Sequence, residues 1–126
     1  MKRLMRHAFR FGIVGVLAMA THYLLVLLLV HFSVAPLIAN VFAFVGAFQV
    51  SYWGHSSWSF SDLSASRKDS FRRFVIVSVS GFLLNELLFF LFLKFTHIPY
   101  QISLLIVLPF VAGLTFLLSR HWAFAR

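Results

Sequence analysis

The side chains best suited to chemistry in this sequence are polar groups that interrupt long apolar stretches. Glu86 is the only acidic residue inside such a stretch, and Asn85 directly precedes it. An ionised carboxylate near the centre of a bilayer costs about 2.5–3.5 kcal/mol on insertion scales. Glu86 must therefore be paired, hydrated or protonated. We predict that these two residues serve a pathway for a polar substrate or a proton, with hydrogen bonding between helices as the alternative.

His22 is a third polar group at the same predicted depth, because the chain contains an internal repeat. Shifting the sequence by 63 residues places Arg10-Phe11 on Arg73-Phe74 and His22 on Asn85. Such self-similarity indicates one structural unit that occurs twice. The sequence therefore predicts that His22, Asn85 and Glu86 lie near the middle of the membrane at a common depth.

Three arginines could bind phosphate at one end of the apolar stretches. Arg10, Arg73 and Arg120 each lie beside the boundary of a stretch. A guanidinium group binds phosphate through two parallel hydrogen bonds. We predict that these residues bind a phospholipid-like headgroup. General attraction to anionic lipids, about 1 kcal/mol per basic residue, is the alternative.

Other kinds of chemistry find little support in the sequence. The chain has no cysteine, which excludes disulfides and thiolate ligands. The histidines outside the spans lack the paired spacing of metal ligands. A glycine-rich phosphate loop followed by lysine and a nucleophile elbow are both missing. We therefore predict no metal site, no cofactor and no enzyme activity.

The elements that position these groups are four apolar stretches. Hydrophobic side chains make up 61% of the 126 residues and charged ones only 11%. Soluble domains have apolar usage of about 45–50%. Each stretch has the roughly 20 residues that cross a hydrocarbon core of about 30 Å. The predicted spans are residues 11–32, 36–58, 74–95 and 100–119.

The distribution of positive charge predicts the orientation of these spans. Lysine and arginine concentrate in the cytoplasmic segments of membrane proteins. One side has only Lys94, whereas ten basic residues fall on the other: Lys2, Arg3, Arg6, Arg10, Arg67, Lys68, Arg72, Arg73, Arg120 and Arg126. Both termini are therefore expected in the cytoplasm. Because orientation explains the net charge of +8, we expect no nucleic-acid partner.

The repeat determines the predicted fold. One more residue of shift aligns Trp58-Ser59-Phe60 with Trp122-Ala123-Phe124, so both copies end in aromatic residues. Each copy has two spans, and the second therefore starts on the same side as the first. We predict an all-α membrane protein with four transmembrane helices, arranged as two parallel-oriented helical-hairpin repeats. It forms a single domain over residues 1–126, with repeat one at about 9–60 and repeat two at about 72–124.

Small residues predict where the second span packs against a neighbour. Ala35, Ala39, Ala43 and Ala47 recur every four residues and therefore lie on one face of a helix. Small side chains allow the backbones of membrane helices to approach closely. We expect this alanine ridge to be a packing surface.

The order of these motifs resembles the GtrA-like family of small four-span membrane proteins. Each copy has an Arg-Phe-x3-small opening, a polar residue in mid-span and an aromatic ending. In that family the second and fourth spans end in a pattern similar to Asn-Phe-x-x-Asn-Arg-x-Trp-x-Phe. Repeat two keeps Phe116, Arg120, Trp122 and Phe124 of this pattern, whereas repeat one keeps Trp58 and Phe60.

The resemblance implies a function in cell-surface polysaccharide synthesis. GtrA-like proteins are thought to move a polyprenyl-phosphate-linked monosaccharide, such as undecaprenyl phosphate-glucose, across the bacterial inner membrane. Arg73 and Arg120 match family positions and would receive the phosphate, and Asn85 also matches. His22 stands where an acidic residue is common, and Ser56 replaces an expected arginine. The phosphate site implied by the resemblance is therefore not symmetrical.

A substrate of this kind would need polar side chains within the membrane. Sugar hydroxyls that lose water without gaining partners cost several kcal/mol each. We predict that His22, Gln49, Asn85 and Glu86 replace those hydrogen bonds in a lateral groove. The polyprenyl tail would remain among the membrane lipids, so only the phosphosugar has to cross.

Two other functions fit the same features. The protein could be an accessory subunit that anchors or stabilises a membrane glycosyltransferase, because its apolar faces can recruit partner helices. It could also be a small proton-coupled drug exporter, although such exporters usually carry their glutamate in the first span. The apolar surface also permits homodimerisation.

Overall fold

The computed structural model describes residues 2–59 and 67–123, and 93% of these residues are helical. Helix α1 is Lys2–His31, α2 is Pro36–Gly54, α3 is Arg67–Phe95 and α4 is Tyr100–Leu118. A π-helical turn extends α2 over His55–Ser59, and another extends α4 over Ser119–Ala123. The repeat ends predicted at Phe60 and Phe124 lie outside the described residues.

Within residues 2–59 and 67–123, four helices are long and apolar enough to cross a membrane, as the sequence predicts. The described helices match the four expected spans, so this is a multi-pass membrane protein. Helices α1 and α3 begin several residues before the predicted spans at residues 11 and 74. Their leading polar segments contain no proline or glycine to stop the helix, so helix precedes the apolar run in both.

The turn between α1 and α2 follows from local hydrogen bonding. Ser33 has a φ of 72°, the left-handed conformation that ends many helices. Its N–H donates to the Val30 carbonyl at 2.9 Å, and the Val34 N–H donates to the Leu29 carbonyl at 3.0 Å. Pro36 then occupies the first position of α2, where its missing N–H costs nothing.

The turn between α3 and α4 uses a side chain and a proline. Thr96 Oγ1 donates to the Phe92 carbonyl at 2.5 Å and accepts from the Ile98 N–H at 3.3 Å. Pro99 is the N-cap residue of α4. Both short turns therefore lie at the same end of the bundle, which we call the loop end. The opposite end contains the start of α1, the end of α2, the start of α3 and the end of α4. We call it the terminal end, because both chain termini lead away from it.

Close packing joins the two helices within each hairpin. Ala39, Ala43 and Ala47 of the expected ridge are buried on α2, whereas Ala35 is exposed ahead of the helix. A Cβ atom added at Gly54 would lie 2.5 Å from Val14 Cγ1 of α1. The first hairpin thus packs as predicted, through small residues on α2.

Two apolar clusters hold the hairpins together at different depths. The loop-end cluster contains six buried residues: Val26, Ala39, Ala43, Phe89, Leu104 and Leu108. The terminal-end cluster contains Phe11, Tyr52, Phe74, Val77 and Ala123. Each cluster draws side chains from more than one hairpin, so both contribute to the contact between repeats. The cavity described next borders both clusters, through Phe11 and Leu108.

Candidate functional site

A hydrogen-bonded polar cluster joins three helices across the two repeats. His22 of α1 contacts Asn40 of α2, with 2.6 Å between His22 Nε2 and Asn40 Oδ1. Asn40 Nδ2 donates to Asn85 Oδ1 and to Glu86 Oε1 of α3, each at 3.1 Å. His22, Asn40 and Asn85 are buried, and Glu86 is half-buried. Asn40 is therefore the residue that links the first hairpin to the second at this depth.

The chemistry of Asn40 fixes the direction of these hydrogen bonds. Its Oδ1 atom can only accept, so His22 Nε2 must carry a proton and donate. Its amide nitrogen has two N–H groups, and the two oxygens of α3 accept them. The oxygen and both N–H groups of the Asn40 side chain therefore all have partners. A fully connected buried network of this kind favours one arrangement of the helices, because each lost partner leaves a costly unpaired group.

A cavity of about 120 Å³ lies beside this cluster. All four helices contribute to its wall, which is mostly aromatic or small and apolar. Its polar lining residues are His22, Ser51, His55, Ser78, Asn85 and Thr115. The cavity therefore offers several hydrogen-bonding groups within an apolar enclosure, a common design for small-molecule sites.

The structure brings together three of the four residues predicted to bind substrate. His22 and Asn85 line the cavity, and Glu86 joins them through Asn40. Gln49 does not line the cavity, and its side chain is exposed. The buried face of α2 carries Ala43 and Ala47. Gln49 is two residues beyond Ala47, which turns it about 200° around a helix of 3.6 residues per turn.

Asn40 and His55 are site residues that the sequence analysis did not identify. The repeat could have indicated Asn40, because a shift of 63 residues places this polar position on Ser103. Asn40 also lies within the alanine ridge, where a buried amide needs partners. His55 lines the terminal end of the cavity, where its ring stacks on Phe11 with centroids 4.3 Å apart. Its Nδ1 atom is 3.0 Å from Ser59 Oγ.

Two of the predicted phosphate-binding arginines make equivalent contacts in the two repeats. Arg10 donates to the Trp58 carbonyl at 3.1 Å, and Arg73 donates to the Trp122 carbonyl at 3.2 Å. Both carbonyls belong to the π-helical turns that extend α2 and α4. The Arg10 guanidinium also lies over the Trp58 ring, 5.4 Å from its centroid. The repeat is therefore visible in side-chain contacts as well as in helix order.

Arg120 links the two hairpins at the terminal end. Its Nε atom donates to His7 Nδ1 of α1 at 3.1 Å. A guanidinium has five N–H donors, and these contacts occupy one donor on each of the three arginines. Arg10, Arg73 and Arg120 are all half-buried at the terminal end of the bundle. They therefore hold helix ends together in one region of the bundle.

Two like-oriented helical hairpins around a polar-lined cavity define a small multi-pass membrane protein. The sequence profile of the GtrA/DPMS transmembrane domain matches residues 10–124. The chain therefore belongs to the GtrA/DPMS transmembrane-domain family. This is a family of membrane proteins associated with lipid-linked sugars, and its members are generally non-catalytic. No individual curated protein gives a significant match.

Proposed function

We propose that this protein translocates a polyprenyl-phosphate-linked monosaccharide from the cytoplasmic to the outer leaflet of the bacterial inner membrane. The observation that carries this proposal is the polar cluster of His22, Asn40, Asn85 and Glu86 beside a cavity shared by all four helices. Family membership supports a lipid-linked sugar as the substrate.

The cavity lining suits a sugar better than it suits a lipid chain alone. Hydroxyl groups that leave water need replacement partners, each worth several kcal/mol in an apolar medium. His22 and Asn85 provide such partners at one end of the cavity, and His55 and Ser51 do so at the other. Phe44 and Phe82 offer ring faces between them. A headgroup could therefore exchange one set of hydrogen bonds for the next as it moves.

The arginines provide the phosphate site in this proposal. Arg10, Arg73 and Arg120 lie at the terminal end, which the distribution of positive charge predicts to face the cytoplasm. A phosphate captured there would place its sugar next to the His55 end of the cavity. Translocation breaks no covalent bond, because the lipid is chemically unchanged when it reaches the other leaflet. The protein is therefore proposed to be a transporter without catalytic residues.

Leaflet-resolved measurement in proteoliposomes tests the proposal. A polyprenyl phosphate-glucose probe is placed in both leaflets, and the fraction accessible to an added periodate solution is followed with time. We expect the native chain to speed exchange between leaflets. The double variant Asn85→Leu with Glu86→Leu should lose this activity, because the headgroup then meets hydrocarbon where it needs hydrogen bonds.

The matched control is Gln49→Leu, which also removes a polar side chain from a span but does so away from the cavity. This variant should exchange the probe as the native chain does. Native exchange that survives the double variant would reject the cluster as the transfer site. No exchange by the folded native chain, together with copurification of a glycosyltransferase, would favour the accessory-subunit function.

A further inference from the structure

The bundle has two seams where one hairpin meets the other, and their side chains differ in kind. One seam lies between α2 and α3, and the second lies between α1 and α4. The internal repeat makes these seams equivalent, because α1 corresponds to α3 and α2 to α4. Each side chain in one seam therefore has a counterpart in the other, and the two can be compared position by position.

The α2–α3 seam is closed along its length by large side chains. Four residues of α2, spaced four apart, reach α3: Asn40, Phe44, Phe48 and Tyr52. Phe44 stacks on Phe82 with ring centroids 4.6 Å apart. Tyr52 meets Phe71 edge-on at 5.1 Å and Phe74 at 5.7 Å. Aromatic contacts therefore connect α2 to α3 from the level of Asn40 to the terminal end.

The α1–α4 seam has shorter side chains at the equivalent positions. A shift of 63 residues replaces the four residues of α2 by Ser103, Val107, Val111 and Thr115. On α1, Met19 stands in place of Phe82 and Ala8 in place of Phe71. Ser103 Oγ is buried and has no hydrogen-bond partner among the described residues, whereas Asn40 has three. The polar link of the first seam is therefore not repeated in the second.

The cavity borders the α1–α4 seam as well as the α2–α3 seam. Gly15 and Ala18 of α1 line its wall together with Val111, Ala112 and Thr115 of α4. Nearer the terminal end, Phe11 meets Phe116 with centroids 4.9 Å apart, and Arg120 meets His7. Nearer the loop end, Val26 packs with Leu104 and Leu108. The small residues thus form one stretch of the seam, bounded on both sides and open to the cavity.

We infer that the α1–α4 seam is the lateral portal through which the hydrocarbon chain of the substrate extends from the cavity into the membrane. This inference rests on the proposed function. A headgroup held in the cavity must remain covalently joined to a chain that stays in lipid, so one seam must part to admit it. The short apolar side chains of α1 and α4 accommodate an isoprenoid chain there. The aromatic α2–α3 seam remains closed and keeps the hairpins aligned.

Paired cysteines test the portal, since the chain contains no native cysteine. Phe11→Cys with Phe116→Cys spans the α1–α4 seam. Tyr52→Cys with Phe74→Cys spans the α2–α3 seam, also near the terminal end. A short bifunctional thiol reagent bridges each pair in proteoliposomes. We expect the first bridge to abolish exchange of polyprenyl phosphate-glucose and the second to leave it as in the unbridged double variant.

A loss of exchange on bridging the α2–α3 pair alone, or equal loss with both bridges, would overturn the portal. A second measurement does not depend on transport or on the cysteine variants. Native protein is illuminated with a polyprenyl phosphate that carries a diazirine next to its phosphate. Labelling of α1 and α4 supports the portal, whereas labelling concentrated on α2 and α3 refutes it. Equal labelling by a diazirine phospholipid also refutes it, because any chain would then occupy the seam.

These measurements separate the portal from the proposed function. Absence of exchange by unbridged native protein would reject translocation. The diazirine pattern would then still decide whether the chain of a polyprenyl phosphate binds between α1 and α4.

Discussion

Asn40 shows how much one buried side chain determines in this bundle. It accepts from His22 and donates to both Asn85 and Glu86, so three partners on two helices depend on it. Hydrogen bonds between membrane helices contribute about 0.6 kcal/mol on average. Removing a shared partner costs more, because each buried group left behind is unsatisfied.

Asn40→Ala should therefore lower the free energy of unfolding by about 1–3 kcal/mol. Unfolding in mixed detergent micelles, followed by circular dichroism, measures the change. Gln49→Ala on the same helix is the control, because its side chain is exposed, and it should unfold like the native chain. Equal stability of the two variants would show that the hydrogen bonds of Asn40 do not stabilise the bundle.

The residues of the site could be predicted in part, because polar side chains are conspicuous within apolar spans. His22, Asn85 and Glu86 were identified from their depth and from the repeat, and the structure brings them into one cluster. Asn40 lies near the start of α2, away from the middle of its span, so depth alone did not indicate it. Gln49 has a suitable depth, but its side chain lies on the exposed face of α2, away from the cavity. The direction of a side chain around its helix depends on tertiary packing, which depth does not include.

At the scale of elements, glycine controls how closely α1 and α2 approach. A Cβ atom at Gly54 would lie 2.5 and 2.9 Å from the two Cγ atoms of Val14. Both Val14 and the neighbouring His55 are buried, so neither helix can yield without disturbing the terminal end of the cavity. At Gly12, also on α1, such a Cβ would meet no other part of the described protein within 4 Å beyond the adjacent backbone of its own helix.

Gly54→Ala should therefore destabilise the protein by about 1–3 kcal/mol, as overpacking of cores does. Gly12→Ala should raise stability by up to about 1 kcal/mol, because alanine favours the helix over glycine. Thermal unfolding of the two purified variants under identical detergent conditions provides the comparison. A Gly54→Ala protein as stable as Gly12→Ala would show that the two helices separate easily.

Helix positions were predictable from apolar runs and prolines, whereas the π-helical turns were not. The run lengths set the four spans, and Pro36 and Pro99 set the starts of α2 and α4. The turns at His55–Ser59 and Ser119–Ala123 place carbonyls where Arg10 and Arg73 can reach them. Those contacts join residues almost 50 positions apart. Local propensity contains no information about such pairs.

At the scale of the whole molecule, charge predicts which end faces the cytoplasm. The terminal end carries nearly all basic residues, and the loop end carries Lys94. Positive segments are retained in the cytoplasm during insertion. The proposed function requires the same orientation, because in it the arginines receive the phosphate from the cytoplasmic leaflet.

His97→Cys at the loop end should therefore react with a membrane-impermeant maleimide in intact spheroplasts. Arg3→Cys at the terminal end should react only after lysis. Both side chains are exposed, so accessibility within the protein is matched. Reaction of Arg3→Cys before lysis would reverse the orientation and place the arginines on the outer surface.

The parallel arrangement of the hairpins has a kinetic consequence. The axis that relates the hairpins runs along the membrane normal, so rotation about it exchanges the repeats but not the leaflets. The turns at one end and the arginines at the other therefore have no counterparts in the opposite leaflet. In the proposed function, the state open to one leaflet is therefore not a copy of the state open to the other. The barriers to outward and return passage need not match, and the velocity at saturating lipid can differ between the two directions even when the equilibrium distribution is even.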